Sequence, residues 1–502
     1  RPSLQRRDYA SDSSSSWVSK AGRFPRSFLS CGAMGAWNQY LAAIAASITM
    51  MLMGTSYAWT SPILPRLLRP DSEIPMTDDQ SSWVAAFIEV GNLFTPLPIG
   101  SLIDRWGRKP CILLTGPLYL ISWAVVLTTR HVYMLYVMRI IQGLAIGIIC
   151  TAVPVYVSEI AQPDVRGALS TLSQAFVYFG NLFCYCLGPY VSYQDFTLLN
   201  ALLPAVFMVF FMWMPESPYF LMMKGKEKKA ADALVWLYGE DSVKDVKEEL
   251  KIIKDTVSED LTSKGSWKEM LSSESDRRAL IILQIAAITK YMSGYLGIVS
   301  YAGKTFTSKK ESLISADHYA IIMGLIFFLP LFLIAPLADR LGRRTLLLIS
   351  TVGCAVCDCL AGVYYYIEAQ TDIPISQYSW LGFLAVAGYC ILFSVGLGPL
   401  VSTLKSELFT SNTRGKASGI TNITETITCF FCLKMYQVVA DSAGFHANFA
   451  LFSLSCVVGA VVIYTTVPET TGKTFAEIQR EFTKVKQEED VEMQTSNNGV
   501  KV

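Results

Sequence analysis

Gly100-Ser101-Leu102-Ile103-Asp104-Arg105-Trp106-Gly107-Arg108-Lys109 returns later in the chain as Ala338-Asp339-Arg340-Leu341-Gly342-Arg343-Arg344. Two more motifs repeat in the same order. One is Glu-x6-Arg-Gly, at Glu159 to Gly167 and Glu407 to Gly415; the other is Pro-Glu-Ser/Thr, at Pro215 to Ser217 and Pro468 to Thr470. Matching acids lie 235 (104 to 339), 248 (159 to 407) and 253 residues (216 to 469) apart. A near-constant offset of half the chain marks two homologous halves fused in tandem. In a hydrophobic chain this implies two helical bundles with a solute site at their seam.

Composition agrees with a membrane setting. Of 502 residues, 52% are hydrophobic and 17% charged, with a mean hydropathy of +0.37; soluble proteins average about 25% charge. The net charge of +1 implies no polyanionic partner and argues against nucleic acid. Twelve apolar stretches stand out: 40–62, 83–103, 111–127, 134–154, 169–190, 198–214, 279–301, 319–336, 346–366, 380–400, 417–440 and 448–467. Each approaches the roughly 20 residues a spanning helix needs. They are continuously apolar and too long for barrel strands, and backbone groups in lipid must pair within their own segment. The expected fold class is therefore an all-α membrane protein with twelve transmembrane helices in two pseudo-symmetric six-helix lobes.

Charge placement sets the expected topology. Arg105, Arg108 and Lys109 fall between spans two and three, Arg340, Arg343 and Arg344 between eight and nine, and six basic residues precede span one. Loops after spans five, nine and eleven carry no Lys or Arg. The positive-inside rule then puts both termini in the cytosol. The division expected is a tail at 1–39, a first lobe at 40–214, a cytosolic helical linker at 215–278, a second lobe at 279–467 and a tail at 468–502. Within the linker, 230–238 and 243–257 show helical periodicity. Residues 1–30, with Ser13 to Ser16, lack the apolar core of a signal peptide; because the first residue is Arg1, the chain is expected to lack its true start.

Several chemistries find no support. The cysteines sit mostly inside spans, where small thiols pack well, and three histidines give no zinc pattern. No cofactor is expected: there is no Walker-type phosphate loop, and no nucleophile–base or metal arrangement that would suggest an enzyme. Asn422-Ile423-Thr424 fits a glycosylation sequon but lies inside a span.

The repeated acids and bases suit a clamp. Asp104, Arg105, Arg108, Glu159, Arg166 and Glu216 gather at one face of the first half. Asp339, Arg340, Arg343, Arg344, Glu407, Arg414 and Glu469 are their counterparts in the second. Guanidiniums and carboxylates so placed form bidentate pairs between helices, closing one side of a carrier in one state and releasing it in the other. The plain alternative is topogenic charge that only holds loops in the cytosol.

The Asp-Arg-x-Gly-Arg turns, Arg139, Pro154–Ile160 (Pro-Val-Tyr-Val-Ser-Glu-Ile), Arg166-Gly167-Ala168-Leu169, the run from Pro215 to Leu221 and that from Pro468 to Thr474 resemble the sugar porter family of the major facilitator superfamily. Within it, the chain is most similar to the insect-type trehalose transporters. The resemblance covers about 40–479. It implies a rocker-switch carrier of the plasma membrane with one central site for a small polar solute such as a sugar. It also implies sugar-binding amides at Gln174 and Asn422, each eight residues beyond a motif arginine. Elsewhere the pocket departs from the family. Span seven reads Lys290-Tyr291-Met292-Ser293-Gly294-Tyr295-Leu296 where Gln-Gln-Leu-Ser-Gly-Ile-Asn is usual. Phe327 replaces an asparagine, and Ser402 replaces the tryptophan that stacks on a sugar ring.

Ionisable residues fill the gap. Lys290 lies near mid-membrane, and Glu425 follows Asn422 by one turn, so the two should share a face. Such residues are costly in lipid and are site candidates by default; Lys290 and Glu425 can pair, or hold a charged solute. Glu89 and Arg139 lie at matching depth and suggest an intramembrane salt bridge. Residues 40–62 contain no Asp or Glu; because proton-coupled members of the family often place an acid there, the resemblance implies facilitated diffusion rather than proton coupling. Three readings stay open: a sugar carrier, a carrier of a charged or zwitterionic metabolite, and a non-transporting nutrient sensor.

Overall fold

The computed structural model describes residues 33–239, 243–262, 272–305, 315–331, 341–371, 378–409 and 411–469. Regular structure among them is helical throughout. The first half comprises α1 (Ala33–Ala58), α2 (Thr60–Leu67), α3 (Asp78–Leu93), α4 (Pro96–Trp106), α5 (Arg108–Thr128), α6 (Val132–Ile160), α7 (Pro163–Leu187) and α8 (Tyr193–Met212). Three helices connect the halves: α9 (Pro218–Met223), α10 (Glu227–Tyr238) and α11 (Val243–Thr262). The second half comprises α12 (Glu274–Met292), α13 (Tyr295–Ser300), α14 (Ala302–Thr305), α15 (Ala316–Phe328), α16 (Arg343–Gln370), α17 (Ser379–Val395), α18 (Leu397–Glu407), α19 (Ser411–Ala443) and α20 (Phe445–Thr466).

Among the described residues, eight helical stretches are long and apolar enough to cross a membrane, and nine if α3 and α4 count as one broken span. Stretch 83–103, read as one helix, is in fact bent by 55°. The bend falls before Pro96, whose ring has no N–H and fixes the backbone at a helix start. α7 and α19 run for 25 and 33 residues but are not among the eight. α15 is shorter, at 13 residues, and the rest of stretch 319–336 reaches beyond the described residues.

The outer faces show why these helices belong in lipid. Leu198, Leu202, Val206, Val209 and Phe210 are exposed along α8, and Ile349, Val352, Val356, Leu360 and Val363 along α16. Spacings of three and four put each set on one stripe, and a continuous apolar stripe in water would be unfavourable. This is a multi-pass membrane protein. The connecting helices are less apolar and carry their own small core of Leu221, Met222, Ala230, Ala233 and Val257. The amide of Asn38 on α1 donates to the Trp236 carbonyl at 2.6 Å and holds α10 against the bundle.

Lipid gives no hydrophobic drive between helices, so packing rests on close contact through small residues. Gly143 on α6 shows this: a Cβ there would strike the Ile88 carbonyl and the Asn92 N–H of α3. Gly143→Ala is expected to destabilise by about 1–3 kcal/mol. A thermal melt of the detergent-solubilised chain checks this; an unchanged midpoint would mean α3 and α6 have slack.

Candidate functional site

The repeated turn owes its shape to a carboxylate from elsewhere in the chain. α4 ends at Trp106, Gly107 turns with φ of 112°, and α5 begins at Arg108. A helix N-terminus offers unpaired N–H groups and partial positive charge. Glu216 takes that place, its Oε1 accepting from the N–H of Arg108 at 3.2 Å and of Lys109 at 3.1 Å. A Cβ at position 107 would run into this carboxylate, so glycine answers both the positive φ and the lack of room. Gly342, with φ of 86°, repeats the turn. There Glu469 accepts from the N–H of Arg343 at 2.9 Å and of Arg344 at 3.2 Å. Flanking cations match as well: Lys109 Nζ donates to the Met212 carbonyl at 2.8 Å and Arg344 Nη2 to the Tyr464 carbonyl at 2.6 Å. Burial pushes the Glu216 carboxyl above its usual range, outweighing the opposite pull of the Ser217, Lys109 and Arg108 N–H groups and the Arg108 charge.

Arg108 links this seat to the rest of the charge cluster. Its Nε and Nη2 donate to the two Glu159 oxygens at 2.8 Å each, and Nη1 reaches Asp104 Oδ1 at 3.3 Å. Ser217 Oγ also donates to Glu159. Arg166, expected among the clamp residues, stands apart: Arg108 and Ser217 already occupy the Glu159 oxygens, and Arg166 is exposed, donating to the Ala161 carbonyl at 3.3 Å. Arg105 is likewise exposed. These bonds tie together α4, α5, α6 and the residues before α9, all on the first-half side. Asp339 and Arg340 lie outside the described residues, as do the side chains of Glu407 and Arg414.

Between the halves lies a cavity of about 180 Å³, room for on the order of ten waters. Gln174, Lys290, Tyr291, Ser402, Asn422 and Glu425, the six candidates read from the sequence, all line it. α7 contributes Gln174, α12 contributes Lys290 and Tyr291, α18 contributes Ser402, and α19 contributes Asn422 and Glu425. One charged lining residue was missed. Lys405 on α18 pairs with Glu425 Oε1 at 2.8 Å and donates to Asn422 Oδ1 at 3.1 Å. The pair expected between Lys290 and Glu425 is therefore not the one formed. Lys290 Nζ instead sits 5.1 Å from the centre of the Tyr291 ring and makes no ion pair among the described residues. Aromatic rings form another wall: Tyr295 stacks on Phe393 at 4.6 Å, and Tyr178 on Phe327 at 5.6 Å. Phe327 itself is fully buried, behind Tyr178 and Tyr295 rather than on the cavity surface.

The expected Glu89–Arg139 bridge does not form, although both residues are buried to 1% exposure. Each turns to a different group on α1. Glu89 accepts from Tyr57 Oη at 2.7 Å and from Asn92 Nδ2 at 2.9 Å. Arg139 Nη1 donates to the Ser56 carbonyl at 2.5 Å and to Gln142 Oε1 at 3.1 Å, with its guanidinium 4.8 Å from the centre of the Trp59 ring. Tyr57 and Asn92 line the cavity, so Glu89 supports its wall from behind. Asn92 Nδ2 also donates across the seam to Thr426 Oγ1 at 3.1 Å.

The end away from the basic turns is bolted across the seam. Thr60 Oγ1 donates to the Ser300 carbonyl at 2.8 Å, and Tyr185 Oη to the Val299 carbonyl at 2.8 Å. Lys304 pairs with Asp78 at 2.9 Å and Lys434 with Asp79 at 2.7 Å. Lys434 also lies 4.2 Å from the centre of the Trp83 ring.

Residues 26–482 match the family described as Sugar (and other) transporter. The chain belongs to that family. Among curated relatives it is 32% identical over 448 residues to the facilitated trehalose transporter Tret1 of Aedes aegypti, a match that covers 89% of this chain and 55% of that protein. It is 31% identical to Tret1 of Culex quinquefasciatus, covering 89% of this chain and 86% of the relative. It thus spans about half the length of the Aedes relative. Of the solved structures, the proton:xylose symporter XylE bound to 6-bromo-6-deoxy-D-glucose superposes with a TM-score of 0.73. Identity is 21%, covering 89% of this chain and 100% of XylE, which shows that the two share an all-α membrane fold.

Exposed ion pairs contribute about 0.2–1 kcal/mol each, so the two lysine pairs together account for roughly a 2- to 30-fold bias toward closure of their end. Replacing Asp78 and Asp79 with Asn should speed labelling of a cysteine introduced at Ser300 within that range, measured with an impermeant maleimide. Equal rates in the two backgrounds would mean the pairs do not hold the seam.

Proposed function

We propose that this chain is a carrier that moves a sugar or similar small polar solute by alternating access and facilitated diffusion. The observation that carries the reading is one cavity at the seam of two repeated halves, with an amide from each half, Gln174 and Asn422, on its wall. The names of the Tret1 relatives support a sugar, and the XylE fold supports the architecture. The arrangement proposed is twelve spans in two six-helix lobes, 40–214 and 279–467, joined by a linker at 215–278. The twin seats of Glu216 and Glu469 support a shared ancestry for those lobes. Basic turns and basic tails favour both termini in the cytosol, with the plasma membrane as location. On that orientation the bolted end faces outward, and Ser402, exposed on the cavity wall, faces the inward path. Arg108, Glu159 and Glu216 then act as a strut within one lobe that lets it tilt as a unit.

Counterflow in proteoliposomes tests the proposal: internal unlabelled trehalose or glucose should drive accumulation of the labelled sugar. Gln174→Ala should weaken apparent affinity about 5-fold, the worth of one net hydrogen bond, with an unshifted melting midpoint. Lack of counterflow for neutral and anionic sugars alike would remove the carrier reading; unchanged affinity in Gln174→Ala would remove that amide from the site. A second reading has its own observation. The cavity carries Lys290 and Lys405 against the single carboxylate of Glu425, which favours a charged solute.

A further inference from the structure

We infer that the solute is an anionic sugar derivative, a hydroxylated ring or chain bearing one carboxylate, and that Lys290 is the residue that takes the carboxylate. This rests on the cavity being the solute site of a carrier. Three charged side chains line it: Lys290, Lys405 and Glu425. Lys405 is committed, paired to Glu425 at 2.8 Å and bonded to Asn422 at 3.1 Å. Glu89, the nearby acid behind the wall, has both oxygens occupied by Tyr57 and Asn92. Lys290 alone is left over. Its ammonium makes no ion pair or hydrogen bond among the described residues and lies 5.1 Å from the centre of the Tyr291 ring, with Glu425 and Lys405 acting on it with opposite sign through space.

Two lysines sharing one carboxylate between membrane helices are costly. A carboxylate arriving in the cavity relieves that cost through a charge-assisted hydrogen bond, which is stronger than one to a neutral hydroxyl. The count of charges selects the class. Lys290 and Lys405 against Glu425 leave one positive charge in excess; one carboxylate balances it, whereas a zwitterion, with no net charge, does not. Surrounding groups suit the rest of such a molecule, with Gln174 available to hydroxyls and the Tyr295 and Phe393 rings forming an apolar wall beside them.

The test is binding of labelled D-glucuronate and D-glucose to the purified full chain in detergent, at neutral pH and low salt. Wild type should favour D-glucuronate by about 10-fold or more, and Lys290→Gln should lose about 10- to 100-fold for D-glucuronate while gaining for D-glucose. Glu425→Gln should act in the opposite direction, raising D-glucuronate affinity several-fold by freeing Lys405. A purely structural lysine would weaken both ligands together. Equal or better binding of D-glucose by wild type overturns the inference, as does D-glucuronate affinity within about twofold of wild type in both variants. Glucose counterflow is read separately. Its presence without D-glucuronate binding leaves the carrier intact and removes the anion; its absence together with the loss of all saturable binding removes both.

Discussion

A carboxylate seated on the N-terminus of a membrane helix, supplied from a distant point in the chain, is the interaction around which each half is organised. Glu216 and Glu469 occupy equivalent seats on α5 and α16, each over a glycine whose missing side chain makes room. The helix dipole and unpaired N–H groups favour the charge, while burial opposes it. In the first half that opposition is reduced, though not cancelled, by the Ser217 and Lys109 N–H groups and by Arg108, which also grips Glu159 on α6. Three helices and the exit from α8 are thereby fixed relative to one another, and α9 follows directly from Ser217.

These seats and the cavity share no side chain. None of Arg108, Glu159 and Glu216 lines the cavity, and none of Lys290, Lys405 and Glu425 belongs to the cluster at the basic turns. Energetic effects at sites without common partners tend to add independently. The scaffold can therefore keep its locks while cavity residues change. This chain illustrates that division, with both carboxylate seats at the basic turns and Lys290, Lys405 and Glu425 apart from them in the cavity.

Helix positions were legible because the apolar stretches are long and the repeat fixes their order. The cavity amides were legible because Gln174 and Asn422 follow the same motif by the same eight residues, and Glu425 was found from Asn422 by helical spacing alone. Lys405 was not, since stretch 380–400 ends before it; the helix resumes after Gly396 and carries it back to the cavity wall. Matching depth suggested a Glu89–Arg139 bridge, but depth says nothing about the direction in which a side chain leaves its helix. The lysine bolts were hidden for another reason: Lys304 and Lys434 meet acids 226 and 355 residues away, and no local pattern reports such a meeting.

α7 and α19 are absent from the eight apolar stretches, yet they supply Gln174, Asn422 and Glu425. A side that must greet a polar cargo lowers the average oiliness of its whole segment. A strict apolar threshold therefore passes over two helices of the cavity wall. Each copy contributes one such quiet segment to that wall.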